Sequence, residues 1–234
     1  MKKPLIGFIG QGWIGKNYAD DFEKRGYKTV RYALEEPYCG NKEKIKECSI
    51  VFIAVPTPTT PKGFDSSIVH QALMNLSPGT TAVIKSTLVP QTTTSLQKQF
   101  PKLFVMHSPE FLSRGTAAYD AAHPLLNIIG IPKNSLAYKA RAKAVIVVLS
   151  KAPGKIVSSE TAELFKYVHN TSLFARSIYM NILYDLSQKL GVNWADIKEL
   201  IIKDPMIAFQ DPVIAKWHIE PNPSAGRGVG GDCH

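Results

Sequence analysis

PLIGFIGQGWIG, residues 4–15, is a short apolar run that breaks at Gly10 into glycines spaced G-x-G-x-x-G. An apolar run of this length bounded by glycine reads as a buried strand. The residues after it keep a helical spacing through Tyr18, Phe22 and Lys24, so the glycines stand at a strand-to-helix turn. In that position Gly10 permits the tight turn and Gly12 admits a pyrophosphate to the backbone. Gly15 lets helix and strand pack closely, and the helix N-terminus supplies positive potential. Gly10, Gln11, Gly12, Trp13, Ile14 and Gly15 are therefore candidate dinucleotide-binding residues. The spacing alone is a weak signal. Its place between a strand and a helix favours a bound dinucleotide over a purely structural turn.

The pattern repeats downstream. YKTVRYAL, SIVFIAV (Ser49–Val55), TTAVIKST (Thr80–Thr87) and LFVMHS (Leu103–Ser108) read as strands, with LNIIGI and KIVSS as further candidates. Helical stretches lie around 66–76, 92–100 and 135–149. SIVFIAV is apolar throughout, as expected of a strand covered on both faces. Strand alternating with helix predicts an α/β fold, a Rossmann-type doubly wound and mainly parallel sheet, over residues 1–154.

Dinucleotide folds that use NAD usually end their second strand with an acidic residue that binds the ribose hydroxyls. The expected position here is near Ala33, which is not acidic. Glu35 can take that place if the strand runs longer, whereas Arg31 would favour the phosphate of NADP; both readings stay open. The net charge is +9 and the pI near 9.4. Lysines are scattered, and aromatics do not interleave with them as a nucleic-acid platform requires, so the charge reads as a solvated face with a bias toward phosphate-bearing ligands.

The N-terminal lysines and apolar run are too short for a signal peptide, and no stretch reaches membrane-spanning length. Cys39, Cys48 and Cys233 are odd in number and lack metal-ligand spacing, so no metal site is expected and a reducing cytoplasm is the simplest setting.

Beyond residue 155 the chain has no glycine or proline until Gly191, and apolar residues recur at Leu164, Val168, Ile178, Ile182 and Leu186. One long helix is predicted over 160–190, on the order of 45 Å. It opens a partial helical central domain, 155–234. Lys166 and Asn170 stand four apart, on one face; by themselves they read as a solvated stripe.

Further motifs change that weighting. VFIAVPTP (51–58), IKSTLVPQTT (84–93), SPEFLSRGTAAYD (108–120), AELFKYVHN and the final NPSAGRGVGGDC occur in that order. Together they resemble the UDP-glucose/GDP-mannose dehydrogenase family over nearly the whole chain. The resemblance implies NAD-dependent oxidation of a nucleotide-sugar C6 alcohol to the carboxylate, a step toward polysaccharide building blocks. UDP-glucose is the first candidate substrate, with GDP-mannose or UDP-N-acetylmannosamine next. It also implies a homodimer through the long helix.

Within the resemblance, Cys233 matches the nucleophile whose thiolate holds the aldehyde and then carries the thioester. The flanking Gly228 and Gly230 let backbone wrap the sugar. Lys166 and Asn170 match groups that meet the C6 oxygen as it gains negative character. Glu110 matches a glutamate of water activation, in a substrate-contacting run with Phe111 and Leu112. Thr87 matches a threonine that places the water, beside Ser86 on the cofactor side. Val55, Pro56 and Thr57 match a cofactor-contacting turn.

This sequence also departs from the family. Arg114 stands where the family is often acidic, Val213 replaces a usual arginine, the 35–47 connection is short, and the usual Lys-Asp pair does not follow Cys233. Family members are longer and carry a third domain that grips the nucleotide. The expectation is a chain that binds NAD, turns over sugar poorly, and keeps a mobile C-terminal loop. Two other readings remain: a 3-hydroxyacid dehydrogenase, which oxidises once without a cysteine, and a non-catalytic NAD-binding module.

Overall fold

The computed structural model describes residues 3–113 and 115–207. Strands β1 (Ile6–Ile9), β2 (Thr29–Tyr32) and β3 (Ile50–Ile53) are followed by a two-strand hairpin, β4 (Thr59–Thr60) and β5 (Gly63–Phe64). Then come β6 (Thr81–Ile84), β7 (Phe104–His107), β8 (Asn127–Ile131) and β9 (Gly154–Ser158). The helices are α1 (Trp13–Lys24), α2 (Ser67–Met74), α3 (Thr92–Gln99), α4 (Ala117–Ala122), α5 (Leu136–Val148), α6 (Ser159–Leu190) and α7 (Trp194–Lys203).

Seven strands form one sheet in the order β2-β1-β3-β6-β7-β8-β9. The first five run parallel, β8 pairs antiparallel to β7, and β9 runs parallel to β8. This is the doubly wound, mainly parallel sheet expected from the alternating strands and helices.

Alternation along each strand builds two cores. Phe8, Phe52, Val83 and Met106 face one layer with Tyr18 and Phe22 of α1 and Val145 of α5. Ile9, Ile53, Ile84 and Val105 face the other, with Leu73 of α2 and Leu96 of α3. Phe8 stacks on Phe52 at 5.4 Å and meets Phe22 edge-on at 5.3 Å.

The chain leaves β1 for β2 on one side and returns to β3 on the other. The carboxyl ends of β1 and β3 therefore flank a topological switch point, where such sheets bind ligands. Between β2 and β3 the chain forms only two short 3-10 turns, Cys39–Asn41 and Lys44–Glu47, which leaves β2 at the sheet edge.

The chain divides into two compact units, Met1–Lys166 and Tyr167–His234. In the second, Met180, Trp194 and Ile201 pack with Leu183, Tyr184 and Ile197. Helix α6 stops where the N–H groups of Gly191 and Val192 turn back onto the carbonyls of Gln188 (3.3 Å) and Ser187 (2.9 Å). No helix among the described residues is long and apolar enough to cross a membrane.

Candidate functional site

The glycine turn has the geometry its spacing implies. Gly10 sits at φ +88°, and a Cβ there would lie 2.1 Å from the Ala54 carbonyl oxygen; a Cβ on Gly15 would lie 1.9 Å from the Gly10 oxygen. Those two glycines let β1, α1 and the end of β3 close on one another. Gly12 differs, since nothing lies within 4 Å of a Cβ built there.

Gly12 opens into a cavity of about 660 Å³ whose walls include Gln11, Trp13, Lys16, Asn17 and Thr116. Helix α1 starts at this cavity with no side-chain cap and no acidic residue in its first turn. An uncapped helix N-terminus beside a lysine fits a pyrophosphate. The buried Gln11 Oε1 has no protein partner and adds a polar atom to the same loop. Trp13 is exposed and Ile14 packs against the first core.

The turns after β3 and β6 are stitched together. The Val55 N–H donates to Ser86 Oγ at 2.9 Å, Ser86 Oγ donates to the Val55 carbonyl at 2.7 Å, and Thr57 Oγ1 donates to the Thr87 carbonyl at 2.8 Å. Val55, Pro56, Thr57, Ser86 and Thr87 thus form one edge beside the glycine turn.

Glu110 and Lys166, from motifs far apart in sequence, form a buried ion pair of 3.0 Å. The lysine Nζ also donates to the Glu110 carbonyl at 2.6 Å and lies 5.4 Å from the Phe111 ring centroid. The other carboxylate oxygen accepts the Leu112 N–H at 2.8 Å. Phe111 in turn meets Phe165 edge-on at 5.8 Å. Asn170 follows one turn further along α6, in the second compact unit. Cys233, Gly228 and Gly230 lie outside the described residues, as do Arg114 and Val213.

Beside this pair lies a cluster that the sequence reading passed over. Lys85 and Ser108 continue the face of Val83 and Met106 past the strand ends, toward α1. The Lys85 ammonium sits 4.3 Å from the Tyr18 ring centroid and donates to Ser108 Oγ (3.1 Å) and the Ser108 carbonyl (3.3 Å). Burial pushes its pKa down to about 7, with the Glu110 carboxylate opposing and Lys166 reinforcing that shift. Burial likewise holds His107 down at about 3, a neutral ring. Tyr18 is pushed up by burial, with Glu110, Asp21 and Asp120 adding to it.

A second buried polar group ties α6 to α3. Glu163 accepts the Gln91 N–H at 2.7 Å through one oxygen, and the Thr93 N–H (2.7 Å) and hydroxyl (2.6 Å) through the other. Those donors sit at the N-terminus of α3, where a negative charge is favourable. Nothing in the polar spacing of 159–170 marks Glu163 for this task.

At the end of β2, Arg31 is paired with Glu23 at 2.6 Å and Asp20 at 2.7 Å on α1, which commits its guanidinium. Of the two described cysteines, Cys48 is buried with its thiol pushed up to about 12, and Cys39 donates to the Glu36 carboxylate.

A doubly wound sheet with an open glycine turn at its switch point defines a dinucleotide-binding protein of the Rossmann type. The chain belongs to the UDP-glucose/GDP-mannose dehydrogenase family: residues 38–147 match its NAD-binding domain and residues 160–234 its central domain. The cofactor of that domain is NAD. The glycine turn precedes the first match, so its assignment stands on the geometry above.

The chain is 30% identical over 214 residues to YtcA of Bacillus subtilis, covering 83% of this chain and 47% of YtcA. It is 31% identical over 205 residues to the UDP-glucose 6-dehydrogenase of Rickettsia bellii, covering 82% of this chain and 44% of that protein. The chain therefore spans about half the length of these curated relatives. A UDP-glucose dehydrogenase structure from Pyrobaculum islandicum superposes with a TM-score of 0.80 at 22% identity, over 99% of this chain and 61% of that one. At that identity the likeness is one of fold.

Proposed function

We propose that the protein oxidises the C6 alcohol of a nucleotide sugar, UDP-glucose first, to the carboxylate. One domain, residues 1–154, holds the dinucleotide, and residues 155–234 belong to the central domain. Held at the glycine turn, NAD would supply the hydride acceptor. Two such transfers convert one alcohol and one water into one carboxylate, two NADH and three protons.

The chain's own residues divide the remaining work. The glycine turn and Lys16 hold the pyrophosphate, and the 55–57 and 86–87 edge orients the other end of the cofactor. Lys166 and Asn170 donate to the C6 oxygen as it gains negative charge. Cys233 adds through sulfur to the aldehyde carbon while its proton passes to the aldehyde oxygen; loss of the second hydride and of that proton leaves a thioester, which water hydrolyses to the carboxylate and the free thiol. Glu110 takes a proton from that water, which Thr87 places. Two copies pair through the apolar face of α6.

The observation that carries this reading is the buried Glu110–Lys166 pair at 3.0 Å, which joins two of the matched motifs within one unit. The test is to incubate the chain with UDP-glucose and NAD and to follow NADH absorbance. Slow NADH production, at two NADH per sugar and lost in Cys233→Ser, is the expected result. One NADH per substrate, unchanged by that substitution, would point to a single oxidation. NAD binding without NADH would reduce the chain to a binding module.

A further inference from the structure

Lys85 is buried, and among the described residues no carboxylate lies within ion-pair distance of its ammonium. Burying a charge without a counter-ion is costly, and a site that needed only volume would be filled by methionine or leucine. The ammonium has instead what a cation uses when no anion neutralises it: the face of Tyr18 and two neutral oxygens, both on Ser108. Ser108 stands two residues before Glu110, so Lys85 grips the start of the turn whose end reaches Lys166.

We propose that Lys85 is a positioning residue for the Glu110–Lys166 pair: seated on Tyr18 and bonded to both oxygens of Ser108, it sets the turn from which Glu110 reaches Lys166. Its meaning for catalysis rests on the reading of Glu110 and Lys166 given above; its geometry does not. Through Tyr18 the same contact ties that turn to α1, the helix that the glycine loop opens.

The groups around Lys85 come from four directions. Tyr18 belongs to α1, with Asp21 and with Asp120 of α4 close to its ring; His107 belongs to β7; Glu110 follows β7; Lys166 belongs to α6. Lys85 is drawn down to about 7, so it carries its charge below neutrality and gives it up above. The positive charge held against the Ser108 turn therefore falls as pH rises through neutrality.

The test uses the whole chain with lysines labelled at 13Cε and 15Nζ. The Leu112 amide, bonded to Glu110 Oε2, reports on the carboxylate. In the unmodified chain the Lys166 resonance should step at a midpoint near pH 7. In Lys85→Met the step should vanish and the Leu112 amide should exchange at least tenfold faster. Ser108→Ala removes one acceptor of the charged form, so the midpoint should fall by about half a unit to one unit.

Unchanged Leu112 exchange and an unchanged Lys166 profile in Lys85→Met would overturn the inference. If that variant does not fold, an unmoved midpoint in Ser108→Ala would do so. NAD titration and NADH production on the same samples test the functional reading separately. Their failure beside an intact Leu112 effect sinks that reading and leaves this one standing.

Discussion

Replacing Glu163 should destabilise the first compact unit more than replacing any other helix-surface acid, because its carboxylate serves as the cap of a helix distant in sequence. It is fully buried and accepts three hydrogen bonds of 2.6–2.7 Å from Gln91 and Thr93. Each donor left unsatisfied in a buried place costs about 1–3 kcal/mol. Glu163→Ala leaves the buried Thr93 N–H and hydroxyl without their acceptor, while the exposed Gln91 can turn to water, and the loss should be about 2–6 kcal/mol. Glu163→Gln keeps the volume and one acceptor oxygen but turns an NH₂ donor toward the Gln91 N–H. That single conflict should cost about 1–3 kcal/mol.

Glu160 provides the control. It accepts from Thr94 Oγ1 at 2.7 Å on the same turn of α6 but is only partly buried, and Glu160→Ala should cost no more than about 1 kcal/mol. Urea unfolding followed by circular dichroism, with midpoints compared at a common slope, measures all three. A Glu163→Ala protein within about 1 kcal/mol of the unmodified chain, or no weaker than Glu160→Ala, would refute the reasoning. It would mean that α6 does not depend on α3 for its placement.

Other outcomes follow from the same geometry. Gly12→Val places atoms in open space, so the fold should survive while NAD binding is lost; an unchanged NAD titration would remove the glycine turn from the site. At the edge strand, Ala33 supplies no carboxylate and Arg31 is committed to Asp20 and Glu23, so NAD should be preferred over NADP by less than about tenfold. A preference beyond about a hundredfold would instead assign Glu35 to the ribose. Val168, Tyr179, Ile182 and Leu186 are exposed along α6, and sedimentation should report dimers that Ile182→Glu splits. A monomer at high concentration in the unmodified chain would count against pairing through that face.

Much of this architecture was legible because each central strand is built on a short apolar run bounded by glycine, proline or polar residues. The 160–190 helix was legible because nothing breaks it. Elements shorter than two periods were not: α4 has six residues and the β4–β5 hairpin two per strand, too few for a spacing to establish itself. Glu110 and Lys166 came into view through the resemblance of their motifs, since periodicity alone made Lys166 one more polar residue on a helix.

Lys85 and Glu163 needed partners that no local pattern names. Lys85 still left a trace. It continues the alternation of Thr81 and Val83 into a position that should be apolar, at the carboxyl end of a strand where such sheets bind ligands. A cation in that phase must find its own acceptors. It finds them on the turn that carries Glu110, which is why the violation of the pattern and the candidate site coincide. Glu163 left no such trace. On a helix of 32 residues the buried face depends on which neighbour arrives, and α3 lies some 70 residues earlier in the chain. The polar residues that periodicity misplaces are thus of two kinds. Those on strands betray themselves by phase, and those on long helices become readable only once the helix has met its partner.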